Sequence, residues 1–235
     1  MNCHPPLIIT GMHRSGTSLI AQFFYHSGID LGDELVGAKE SNPYGHFEDV
    51  DIVKFQQQIL VREFGHPMWV PGPPATTKAD RARGRELIAA RQHKPWWGWK
   101  EPRTSLFLNF WDGLLPDARY VFVVRSPLLV LGSLSRRNRT QFYHFWKHNI
   151  FLKAWLIYNQ ACLSFFLQHR ARCHFVVLEQ ILREPEIFID SLANWLKFNF
   201  NTETFQDLYH PKALVHKKNN FLLVSPVLRS RCRSL

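Results

Sequence analysis

Three groups of residues in this chain have types and spacings suited to chemistry on an anionic ligand. The first is the octapeptide Gly11-Met-His-Arg-Ser-Gly-Thr-Ser18, which follows the apolar run 7–10 and leads into an apolar-faced segment, 17–27. Two glycines at this spacing, between a strand and a helix, make a phosphate loop. Backbone N–H groups cradle the anion, and the helix beginning at Thr17 adds the positive end of its dipole. In loops that serve nucleoside triphosphates a lysine follows the second glycine and a Ser or Thr holds magnesium. Here Thr17 stands in the lysine's place, and the cation is Arg14 inside the loop, a permanently charged fork that matches phosphate oxygens.

The second group is Arg125, which closes the strongest strand-like run (118–124), and Ser133, eight residues on in a helix that Pro127 is placed to start. The third group gathers acids and bases. Lys100 and Arg103 stand in Trp-Lys-Glu-Pro-Arg, and the polar stretch 39–49 carries His46, Glu48 and Asp49. Lys100 is a candidate for stabilising a group in transfer, with Arg103 either assisting it or pairing with Glu101. Glu48 is the first choice for a general base, and His46, an imidazole neutral near pH 7, is the second. Asp49 suits a helix N-cap ahead of residue 51. Arg136, Arg137 and Arg139 form a basic cluster after Ser133, and Trp69, in the Pro- and Gly-rich segment 65–74, is a candidate lid.

Together these segments resemble the sulfotransferases that use 3′-phosphoadenosine 5′-phosphosulfate. Arg14-Ser15-Gly16-Thr17-Ser18 is similar to the family's 5′-phosphosulfate loop, and Arg125 with Ser133 to its 3′-phosphate pair. The run from Trp97 to Trp111 resembles the Lys-[Asp/Glu]-Pro-Arg segment of a bacterial branch, and Gly45-His-Phe-Glu48 the segment that supplies a carboxylate base there. Where the family commonly has Arg-Asp-Pro, this chain has Arg125-Ser126-Pro127. The resemblance covers about residues 7–200 of one domain, with 201–235 unassigned. It implies a three-layer α/β P-loop-type domain with a central, mostly parallel sheet and helices on both faces. It further implies transfer of a sulfuryl group to a hydroxyl or amine of a small-molecule, saccharide, lipid or peptide acceptor, with Lys100 and Glu48 or His46 doing the chemistry and no metal.

The pattern of elements agrees with that architecture. Strands are expected at 7–10, 96–100, 118–124 and 173–179, separated by helices at 17–27, 51–64, 78–92, 104–113, 127–137 and 145–169, with a last helix at 185–198. Strands alternating with helices at this spacing favour a parallel sheet, and ligands bind beyond the carboxyl ends of such strands. The residues after Thr10, Trp99, Val124 and Leu178 are therefore expected to surround the site.

Composition narrows the classes without choosing among them. In 235 residues, 46% hydrophobic and 20% charged content is that of a globular chain. The net charge of +10 suits a polyanionic partner, yet no nucleic-acid motif is present. Four cysteines without CxxC spacing, and histidines without ligand spacing, argue against a metal site. The apolar stretch 150–167 is interrupted by Lys153, Asn159 and Gln160, so it reads as a core helix and not a membrane span, and the expected location is cytoplasmic. Two rival functions remain: a kinase with a degenerate loop, disfavoured because neither the third nor the fourth strand ends in Asp, and a non-catalytic binder of polyanions.

Overall fold

The computed structural model describes residues 4–38, 42, 45–137, 144–200, 205 and 207–208. Four strands form one parallel sheet in the order β2-β1-β3-β4: β1 (Leu7–Thr10), β2 (Gly98–Lys100), β3 (Arg119–Val124) and β4 (Cys173–Val177). Register pairs Ile9 with Lys100, Thr10 with Phe122, and Val124 with Val177, so the carboxyl ends lie side by side. The helices are α1 (Thr17–His26), α2 (Val50–Phe64), α3 (Lys78–Ala89), α4 (Leu108–Asp112), α5 (Pro127–Arg137), α6 (His144–Gln168), α7 (Leu178–Ile181) and α8 (Pro185–Leu196).

Alternation along the strands divides the core into two layers. Leu7, Ile9, Val121, Val123 and Val176 face α1 and α8, where Ile20, Phe23, Phe24, Phe188 and Leu192 are buried. Ile8, Tyr120 and Phe122 face the other way, onto Phe55, Leu87, Trp111, Leu131, Tyr158 and Phe165 from α2 to α6. This is the three-layer α/β arrangement expected, and tight approaches make it possible. A Cβ on Gly98 would lie 1.7 Å from the Leu7 carbonyl oxygen, so β2 can pair with β1 only with glycine there.

Several boundaries differ from expectation. The chain leaves β4 at Val177, and Leu178 begins a short helix because the Leu182 amide bonds back to its carbonyl at 3.1 Å. The stretch 104–113 is a 3-10 helix, Pro102–Leu106, then α4. The Pro-rich segment is less of a surface excursion than its composition suggests: Val70 is buried, and Trp69 packs on Phe151 with ring centroids 5.0 Å apart. Within α6, Asn149–Gln168 is long and apolar enough to cross a membrane by length and composition, and Phe151, Tyr158, Cys162 and Phe165 within it pack in the core. Arg139 and most of the tail beyond 200 lie outside the described residues, as do the side chains of Arg136 and Arg137.

The N-cap of α2 holds the region before it in place. Asp49, 1% exposed, accepts the Asp51 and Ile52 amides at 3.0 and 3.1 Å, and Arg91 donates to both its oxygens at 2.7 Å. Removing one partner of a buried ion pair strands the other charge. Asp49→Ala is expected to lower the unfolding free energy by about 3–5 kcal/mol in urea titration, whereas Glu86→Ala, at the exposed pair with Arg83, changes little.

Candidate active site

The phosphate loop leaves β1 at Gly11, whose φ of 145° brings it against β3. A Cβ there would meet the Val123 carbonyl oxygen at 2.2 Å. Arg14 (φ 70°) and Gly16 (φ 92°) are left-handed, a costly conformation for the arginine that turns the loop back over the start of α1. Leu178 closes over Gly16, where a Cβ would lie 2.7 Å from its side chain. Helix α1 has no side-chain cap on its first-turn amides, and Ser15 Oγ is buried with no hydrogen-bond partner among the described residues. A buried hydroxyl and the uncapped helix start fit an anion that supplies the acceptors.

The second motif meets the first. Arg14 Nε donates to Ser133 Oγ at 2.8 Å, and Arg125 Nη1 donates to the Arg14 carbonyl at 3.1 Å. Residues from the ends of β1 and β3 and from α5 thus share one cradle. The turn after Arg125 is pinned from two elements that the sequence does not single out. Glu179 of α7 accepts the Ser126 amide at 3.0 Å, and Trp155 of α6 donates Nε1 to the Arg125 carbonyl at 3.0 Å. Glu179 brings a carboxylate to a turn whose own sequence lacks the family's aspartate.

Lys100 ends β2 and is 1% exposed. Its Nζ donates to Glu48 Oε1 at 2.7 Å, to the His46 carbonyl at 3.1 Å and to Ser18 Oγ at 3.3 Å. The hydroxyl that would hold magnesium in a nucleoside-triphosphate loop therefore faces an ammonium group. Glu48 is held by pairing of 34–36 with 46–50: Val36 donates to the Glu48 carbonyl at 2.8 Å, His46 to the Val36 carbonyl at 3.0 Å, and Val50 to the Glu34 carbonyl at 3.0 Å. His46 Nδ1 lies 3.8 Å from Glu48 Oε1, so both candidate bases are at the site. Arg103, beside them, pairs with the fully buried Glu101. Among the described residues no group of three or more His, Cys, Asp or Glu is placed to hold a metal ion.

Electrostatics at the pair oppose one another. Burial pushes the Glu48 carboxyl up, but the charge and hydrogen bond of Lys100, with help from His46 and Arg103, hold it below the ordinary glutamate value. Burial likewise pushes Glu101 up, to about 7, against the pull of Arg103.

A glycine loop between β1 and α1, with cations at the strand ends, defines an α/β domain of the P-loop type. The chain belongs to the sulfotransferase family, whose sequence profile matches residues 5–202. Solved structures share the fold. The sulfotransferase domain of the Synechococcus PCC 7002 olefin synthase is 20% identical with a TM-score of 0.57, the match covering 100% of this chain and 89% of that one. Sulfotransferase STF9 from Mycobacterium avium is 12% identical with a TM-score of 0.59, covering 100% and 78%. A sulfotransferase from Alicyclobacillus acidocaldarius is 14% identical with a TM-score of 0.56, covering 99% and 91%. No curated protein sequence matches significantly.

The Lys100–Glu48 contact predicts a titration. A carboxyl depressed in the folded state stabilises the protein above the ordinary glutamate pKa of 4.5, and that contribution is lost as pH falls through the depressed value. In Lys100→Gln burial dominates, so the Glu48 carboxyl should titrate above its value in the unmodified protein, read by carbon NMR of the side chain. A Glu48 titration that does not move would remove Lys100 as the cause.

Proposed function

We propose that this chain transfers a sulfuryl group from 3′-phosphoadenosine 5′-phosphosulfate to a hydroxyl or amine of an acceptor. The observation that carries the reading is the convergence of Lys100, Glu48 and Ser18 beside a loop whose cation is Arg14 and not a γ-phosphate lysine. The loop amides, Ser15 and Thr17 would hold the 5′-phosphate, with Arg14 neutralising it, while Arg125 and Ser133 would hold the 3′-phosphate. The donor, when bound, supplies an activated sulfuryl group on a good leaving phosphate.

In the mechanism Lys100 has two partners in turn. Its ammonium stabilises charge on the oxygen that bridges sulfur and phosphate, and in turning there it releases Glu48. Without its strongest counter-charge, and still buried, Glu48 becomes a stronger base. It takes the proton from the acceptor while the acceptor atom bonds to sulfur. The sulfur–oxygen bond to the 5′-phosphate breaks, and the electron pair leaves with the phosphate, held by Arg14 and the loop. Ser18 facing Lys100 puts an ammonium where a metal-dependent loop has its ion, the contrast that separates this reading from a kinase. Acceptor identity is set by loops around the site, and a cytoplasmic location remains part of the proposal.

Arg125→Ala is expected to weaken adenosine 3′,5′-bisphosphate by about 2–4 kcal/mol in calorimetry while leaving 5′-AMP nearly unchanged; equal weakening of both would make Arg125 structural. The reaction itself is tested with sulfur-labelled donor and an acceptor panel. Label transfer should fall roughly 10²–10⁴-fold in Glu48→Gln with donor binding intact, and far less in His46→Gln. A dead His46→Gln beside an active Glu48→Gln would exchange their roles. A chelator should leave the transfer unaffected, and activity restored by magnesium would favour the kinase.

A further inference from the structure

Arg103 is buried, and its described donors are both turned inward. Nη1 donates to Glu101 Oε1, and Nε donates to the Pro67 carbonyl at 2.8 Å. Glu101, with 0% exposure, also accepts the Thr104 amide at 3.2 Å, which fixes its carboxylate at the head of the 3-10 helix. One guanidinium therefore joins the turn after β2 to the backbone of the Pro-rich segment 65–74. A second tie lies one residue on, where the Tyr158 hydroxyl of α6 reaches the Met68 carbonyl at 3.5 Å. Around the ties the segment is closed on itself: His66 Nδ1 accepts the Met68 and Trp69 amides at 3.1 and 3.2 Å, and Trp69 rests on Phe151.

A buried Arg–Glu pair is poor value as a source of stability, since well-packed apolar residues of the same volume often do as well. What apolar residues cannot do is donate to a carbonyl of another segment. The His66 ring takes the Met68 and Trp69 amides, while the Pro67 and Met68 carbonyls are met from outside the segment by Arg103 and Tyr158. The fastening point is three residues from Lys100 in the turn that leaves β2, and Tyr158, which reaches the Met68 carbonyl, sets its ring 5.9 Å from that of His13 in the phosphate loop. The tied segment is therefore joined on one side to the strand end that carries Lys100 and on the other, through Tyr158, to the phosphate loop.

We propose that Arg103 is a positioning residue: with Glu101 it forms a latch that holds segment 65–74 as an ordered wall on the acceptor side of the Lys100–Glu48 site. The term acceptor side rests on the sulfuryl-transfer reading; the latch itself rests on the contacts above.

Hydrogen exchange of the 66, 68, 69, 70 and 72 amides tests it in the full chain. Arg103→Met should speed their exchange by about tenfold or more. Because that variant strands Glu101, the double variant Glu101→Gln/Arg103→Met, which keeps the bond to the Thr104 amide without the buried charge, should show the same local effect. Arg103→Lys retains the cation on a single donor nitrogen, and should recover part of the protection. Loop 11–18 should exchange as before, and the affinity for adenosine 3′,5′-bisphosphate should stay within about twofold. Unchanged exchange over 66–72 in the double variant, or acceleration spread equally through β1 and β3, overturns the latch. Failure of the unmodified protein to bind the bisphosphate would overturn the donor reading instead, and the exchange comparison would still judge the latch.

Discussion

A lysine ammonium with 1% of its surface exposed sets the terms for the rest of this structure. Such a charge persists inside a protein only if anions and acceptors are brought to it. Three separate parts of the chain meet to make this arrangement. The pairing of 34–36 with 46–50 brings Glu48 and the His46 carbonyl, the first turn of α1 brings Ser18, and β2 holds Lys100 by its register with β1. That register needs Gly98, and the Glu48 segment needs the Asp49–Arg91 pair behind it. The fold can be read as the scaffold that lets one buried cation sit next to a phosphate loop.

A second cation pair is organised differently. Arg14 and Arg125 are joined through a backbone carbonyl, and Arg14 takes a left-handed conformation to reach Ser133. Under the proposed sulfuryl-transfer reading, two guanidinium groups fixed by these bonds would meet the two phosphates of the donor without having to reorganise. The net charge of +10 adds a general attraction for anions, and in the proposed reading these two arginines supply the selectivity.

Much of this was legible in the sequence, because the site follows strand ends and each strand end carries a distinctive residue. The glycine loop, Lys100 and the Arg125–Ser133 spacing are local patterns, and the apolar runs placed β1 and β3 well. Asp49 as the helix cap follows from its place just ahead of α2, and Glu48 is singled out by the resemblance of Gly45–Glu48 to a family segment. Less legible were contacts between distant segments. Nothing local shows that Trp155 and Glu179 hold the Arg125 turn, or that Arg103 reaches Pro67. The β4 run was overextended because Leu178 and Glu179 continue an apolar pattern, whereas Leu178 is needed as the lid over Gly16. The Pro-rich segment looked external because proline and glycine report lost regular structure, not lost packing.

In the proposed reading the loop and its arginines are built for a nucleotide with a 3′-phosphate and no γ-phosphate. Calorimetry on the unmodified protein with adenosine 3′,5′-bisphosphate, ATP and 5′-AMP, each with and without magnesium, tests it directly. The bisphosphate is expected to bind tightest, in an order that magnesium does not alter. Tightest binding of ATP, dependent on magnesium, would contradict it.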